Sequence, residues 1–145
     1  MNNSTIIYLE PVNINLVNFS EKLDGHILNV NDIEISESKV LGSGEYGNVF
    51  QGFYKPKGEQ VAVKVAKKCV HEIFEEALIG AKLKGHPNVI ELYGVVLTNF
   101  LQLIYQYMDQ GDLSSLLKRR SVKLKTGMCL DFMKQIALGL EFIQV

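Results

Sequence analysis

The stretch Leu41-Gly42-Ser43-Gly44-Glu45-Tyr46-Gly47-Asn48-Val49, followed after eleven intervening residues by Val61-Ala62-Val63-Lys64-Val65, decides the reading of the fold. Its glycines fit the pattern G-x-G-x-x-G, which alone is compatible with a dinucleotide-binding βαβ unit, a phosphate-binding hairpin or a chance turn. A dinucleotide unit needs a helix to open at the loop and an acidic residue about 20 positions on. Here a β-rich segment and the turn Lys55-Pro56-Lys57-Gly58 come next instead, and the residue near that distance is Lys64. The hairpin reading prevails. Glycines at its tip let backbone amides approach phosphate oxygens with no Cβ in the way, and Val49, on the strand leaving the loop, can roof a flat ring.

The two-residue period of a strand puts Val61, Val63 and Val65 on one face and Ala62 and Lys64 on the other, separating core from cleft. Taken alone, Lys64 reads as a lysine on an exposed strand face. Twenty-two positions after Gly42, it reads as an ammonium group for phosphates under the glycine loop, with the small Ala62 over a base. Outward from these segments, strands are expected over residues 33–41, 48–54 and 60–66 as an antiparallel meander. A helix over residues 69–84 carries Ile73, Ala77 and Leu78 on one side and stops at Gly85-His86-Pro87. Strands resume over 89–97 and 101–107, Asp109-Gln110-Gly111 breaks the chain, and Asp112 opens a short helix to about residue 119. After a basic connector (Lys118, Arg119, Arg120, Lys123, Lys125), the spacing of Cys129, Met133, Ile136, Leu140 and Ile143 predicts an amphipathic helix.

The 145 residues are 47% hydrophobic and 21% charged with a net charge of -1, enough for one core. The charge balance provides no basic footprint for nucleic acid, and no apolar run approaches the roughly 18 residues of a membrane helix. Without a basic N-terminal region or a signal-like apolar run, the chain is expected in the cytosol. Cys69 and Cys129, sixty positions apart, are expected as reduced thiols without metal-like spacing. Residues 1–33 are rich in asparagine and read as a leader or linker, in which Val12, Ile14 and Leu16 alternate as one extended segment or belong to a loose tail. Tyr8 reads as an aromatic anchor, with phosphorylation the lesser alternative.

From about residue 34 to 145, some three quarters of the chain, these ordered motifs resemble the N-terminal lobe of the eukaryotic protein kinase family, and the hinge segment resembles that of tyrosine kinases. The resemblance implies an α+β fold: an N-lobe over 34–107 with a five-stranded antiparallel sheet and one helix, a hinge over 106–111, and the first two helices of a truncated C-lobe over 112–145. It also implies that ATP lies among Leu41, Gly42, Ser43, Gly44, Glu45, Tyr46, Gly47, Val49 and Ala62, with Lys64 on its α- and β-phosphates. Lys64 would pair with Glu76, with Glu75 the runner-up. Tyr105 would be the gatekeeper and close the space behind the adenine, the backbone of Gln106 and Met108 would bond the base, and Asp112 would reach the ribose. Gly80 stands where the family normally packs a large apolar residue, which predicts a loosely seated helix.

The implied activity is transfer of the γ-phosphoryl of ATP to a protein hydroxyl, tyrosine-specific by the likeness of the hinge, with Mg2+ in the complete domain. None of His26, His71 and His86 begins a His-Arg-Asp motif, and Asp131-Phe132 is followed by Met133 rather than glycine. The catalytic base and magnesium ligands thus have no counterpart here. The expectation is a truncated kinase domain, inactive alone, whose last helix exposes Met133, Ile136, Leu140 and Ile143 and favours association. The alternative is a nucleotide-binding or interaction module. By the same likeness, the leader could lie just inside the membrane in a receptor-type kinase.

Overall fold

A computed structural model describes residues 21–66, 70–119 and 124–144. Tyr8, the alternation over 12–16, Cys69, Arg120 and Lys123 lie outside the described residues. Five strands form one antiparallel sheet: β1 (Ile33–Ser43), β2 (Gly47–Tyr54), β3 (Glu59–Ala66), β4 (Leu92–Leu97) and β5 (Leu101–Gln106). Helix α1 (Val70–Lys82) links β3 to β4, and α2 (Leu113–Lys118) and α3 (Thr126–Ile143) come after the sheet. This is the α+β architecture expected from the sequence, with element ends shifted by up to three residues. The first three strands form the expected meander, but the sheet order is β1-β2-β3-β5-β4. Both β3 and β4 pair antiparallel with β5 and so run parallel to each other, a connection a tight turn cannot make and a helix can.

Each face of the sheet carries a buried cluster. Under α1, Ile73 and Ala77 pack with Ala66, Leu92, Val95, Leu101 and Leu103. On the opposite face Val61, Val63, Val96, Ile104 and Ile33 form a second cluster, partly covered by Leu28, Tyr54 and Tyr93. The division of β3 into a core face and a cleft face is therefore incomplete. Val61 and Val63 are fully buried as expected, but the face of Ala62 and Lys64 also has a core, through Ala66 and the cross-strand Leu103.

Residues 23–32, at the end of the segment read as a leader, pack on this sheet. Leu23 is fully buried in the cluster under α1, and Ile27 bridges Val95 in parallel. The Leu28 N–H donates to the Val95 carbonyl and the Val95 N–H to the His26 carbonyl, each at 2.8 Å. This pairing covers the free edge of β4, which a buried apolar strand such as Leu92–Leu97 would otherwise leave open to foreign strands.

Helix α1 is not loosely seated. A Cβ at Gly80 would lie 2.9 Å from Leu92 Cδ2, so the missing side chain lets the helix settle directly on β4, and Leu92 fills the space a larger residue would take. The helix stops at Lys82, and the turn that follows it contains Gly85, whose φ of 90° suits glycine. Helix α3 docks on the connector to β4 through His86, whose ring stacks on Phe142 with centroids 4.7 Å apart, and through Gly139, where a Cβ would meet the Asn88 carbonyl oxygen at 2.9 Å.

A Cβ at Gly94 would strike the His26 carbonyl oxygen and lie 2.8 Å from Leu28 Cγ. The Gly94→Ala variant should therefore pry residues 26–28 from β4 and destabilise the fold by about 1–3 kcal/mol. A lowered thermal midpoint together with faster amide exchange at Leu28 would show it; an unchanged Leu28 amide would contradict it.

Candidate functional site

The β1–β2 turn is a hairpin whose tip, Gly44-Glu45-Tyr46, is flanked by paired strands, so the glycine pattern opens onto a strand and not onto a helix. Register shifts between Ser36 and Val40 and between Val40 and Gly42 bend β1 before the tip. The tip is closed by the Gly44 N–H donating to the Gly47 carbonyl at 3.0 Å and the Ser43 hydroxyl donating to Asn48 Oδ1 at 2.8 Å. Gly47 is demanded by the sheet itself, since a Cβ there would strike the Val65 carbonyl. Gly42 and Gly44 are different: a Cβ at either would meet nothing within 4 Å, and neither has a positive φ.

Strand register aligns the other predicted residues. Gly42, Val49, Lys64 and Leu103 form one row across β1, β2, β3 and β5, and Gln51, Ala62, Tyr105 and Leu92 form the next across β2, β3, β5 and β4. Cross-strand partners share a face, so Val49, Ala62, Lys64 and Tyr105 all lie on the α1 side. The sheet-facing stripe of α1 is Ile73, Glu76, Ala77 and Gly80, a helical i, i+3, i+4, i+7 pattern in which Glu76 is the one charged member. Glu75 is exposed. Lys64 Nζ lies 2.6 Å from Glu76 Oε2, and the Tyr105 hydroxyl donates to Glu76 Oε1 at 2.8 Å. Burial, and then the hydrogen bond and charge of Glu76, push the Tyr105 phenol far above the ordinary tyrosine range, so it stays a neutral donor.

The segment after β5 is only partly free to bond a ligand. The Gln106 N–H donates to the Glu91 carbonyl at 2.9 Å, which limits any base contact from Gln106 to its carbonyl oxygen. The Met108 carbonyl accepts from the Gly111 N–H at 3.2 Å, closing a turn at Gly111 with φ 72°, while the Met108 N–H has no partner among the described residues. Asp112 caps α2: Oδ1 accepts from the Ser115 N–H at 2.8 Å and Oδ2 from the Ser115 hydroxyl at 2.6 Å. A groove of about 540 Å³ between this segment and α3 is lined by Asn88, Met108, Asp112, Leu116 and Phe132 among others, but not by Lys64, Glu76 or the glycine hairpin. Leu41, Tyr46 and Met108 are exposed, and so is Glu45.

Sequence reasoning missed the hydroxyl contact of Tyr105. It placed the ring as a wall, and no local spacing links positions 76 and 105. The choice of Glu76 over Glu75 was available from helical period, because only Glu76 falls in the stripe with Ile73 and Ala77.

The chain belongs to the protein tyrosine and serine/threonine kinase family, which it matches over residues 35–145. It is 32% identical over 124 residues to the epidermal growth factor receptor of Apis mellifera, covering 79% of this chain and 10% of the relative. Identity is 33% over 122 residues to receptor tyrosine-protein kinase erbB-4 of Homo sapiens, with 78% and 9% covered, and 34% over 122 residues to receptor tyrosine-protein kinase erbB-2 of Mesocricetus auratus, with 78% and 10% covered. The chain thus spans about a tenth of the length of these relatives.

The two hydrogen bonds from Ser115, the largest causes, hold the Asp112 carboxyl below the ordinary carboxylate range. A depressed folded pKa means the cap supports α2 above the unfolded value of about 3.9 and is lost as pH falls through the folded value. An NMR titration should place the Asp112 midpoint below about 3.9 with the Ser115 amide shift moving in step. A midpoint at or above that value would contradict the cap.

Proposed function

We propose that this chain carries the ATP-binding portion of a protein kinase, tyrosine-specific by the likeness of its hinge. The complete enzyme would transfer the γ-phosphoryl of ATP to a protein hydroxyl. One observation carries the reading: Lys64, 21% exposed at its side chain, is held at 2.6 Å by Glu76 on the sheet face shared with Val49 and Ala62, beside a hairpin whose first two glycines the chain's own packing does not require. The pair fixes the ammonium in place, and the bare backbone at Gly42 and Gly44 leaves room for phosphate oxygens to approach the loop amides. On this reading Leu41, Val49 and Ala62 sandwich the adenine, and the loop residues Ser43, Glu45 and Tyr46 lie over the phosphates. The Gln106 carbonyl and Met108 N–H bond its edge, Tyr105 closes the space behind it, and Asp112 faces the ribose while capping α2.

Among the described residues no group of three or more His, Cys, Asp or Glu side chains is placed to hold a metal ion. Nucleotide binding by this chain would rest on Lys64 and the loop amides. The reading carries the proposed division into an N-lobe over 34–107, a hinge over 106–111 and C-lobe helices over 112–145, with residues 23–32 added to the sheet edge. It also places the chain on the cytoplasmic side, as the relatives' name of receptor tyrosine-protein kinase suggests; no described helix is long and apolar enough to cross a membrane. A second reading, an interaction module, is favoured by α3, where Leu130, Met133, Ile136 and Leu140 are all at least half exposed.

Binding to the folded state alone raises stability by RT ln(1 + [L]/Kd). Millimolar ATP should therefore raise the melting temperature of the 145-residue chain. Lys64→Met should weaken nucleotide binding about tenfold or more, equivalent to about 1.4 kcal/mol. Absence of any ATP-dependent shift in the unaltered chain would refute the nucleotide reading and leave the interaction module.

A further inference from the structure

Glu76 is the point at which α1 is attached by polar bonds to two strands at once. Its Oε2 accepts from Lys64 on β3, and its Oε1 from the Tyr105 hydroxyl on β5. The rest of the sheet-facing stripe of α1 is apolar or bare and seats the helix without fixing where the Glu76 carboxylate points. A glutamate with one partner can swing about its side-chain torsions, whereas one whose two oxygens are held by separate strands is confined to a single orientation. Tyr105 can make this contact because its backbone pairs with Ala62, one row from Lys64 on the same face, and its ring packs against the cluster that anchors α1.

We propose that Tyr105 is a positioning residue: its hydroxyl latches Glu76 toward Lys64, so that the ion pair and the seat of α1 are built into the chain before any nucleotide arrives. The nucleotide consequence rests on the proposed role of Lys64; the latch itself does not. A merely space-filling tyrosine would act through its ring and be indifferent to the residue at position 76.

The test is a double-mutant cycle in the 145-residue chain with Tyr105→Phe, Glu76→Ala and the double variant, read by amide hydrogen exchange across residues 73–80 and by ATP titration. The latch predicts that Tyr105→Phe speeds exchange of α1 and weakens ATP binding, each several-fold to about tenfold, and that it adds nothing in the Glu76→Ala background. Equal effects in both backgrounds, or no effect on exchange, would overturn it. If no variant binds ATP, including the unaltered chain, the nucleotide reading fails while the exchange cycle still decides the latch. Should Tyr105→Phe not fold, Tyr105→Met, which fills similar space without a hydroxyl, takes its place in the same cycle.

Discussion

The carboxylate of Glu76 is the constraint on which the site depends. It accepts from Lys64 at 2.6 Å and from Tyr105 at 2.8 Å, joining α1, β3 and β5 at one point. Stability is not a sufficient reason for such a group to persist. A half-buried ion pair gives back in Coulomb attraction roughly what desolvation costs, and apolar residues of similar volume often serve a fold as well or better. The apolar contacts of Ile73 and Ala77 with Leu103 already seat the helix. The pair adds position: an ammonium fixed on the sheet face that also carries Val49 and Ala62.

That position is a consequence of the topology. Because α1 carries the chain past the sheet to its far edge, the β4–β5 hairpin returns β5 to the centre, next to β3. Tyr105 and Lys64 become near neighbours although 41 positions separate them, and α1, the next element in the chain after β3, lies over both. A buried cluster on each face supports the sheet beneath the site, and the pairing of residues 26–28 with Val95 covers the free edge of β4. The open part of the site is the hairpin near its tip, where a Cβ at Gly42 or Gly44 would meet nothing within 4 Å.

Much of this was legible in the sequence because its signals are local. The glycine pattern and the β-rich segment after it distinguish a hairpin from a strand–helix turn, the two-residue period places Lys64 beside Ala62, and the helical period selects Glu76. The parts that were not legible depend on contacts distant in sequence. Nothing near Tyr105 points to Glu76, and nothing in the asparagine-rich N-terminal segment shows that Leu23 is core and that Leu28 pairs with β4. Gly80 reads as a missing side chain, when its effect is to bring the helix closer to Leu92. The cap at Asp112, by contrast, was legible as the residue that opens α2, and the contacts to Ser115 form it.

The most direct test of the central claim is to react the chain with an adenosine derivative carrying a lysine-reactive acyl phosphate and to map the modified residue by mass spectrometry. Acylation concentrated on Lys64 and suppressed by excess ATP is the predicted result. Acylation spread over exposed lysines such as Lys55 and Lys84, and unaffected by ATP, would contradict it.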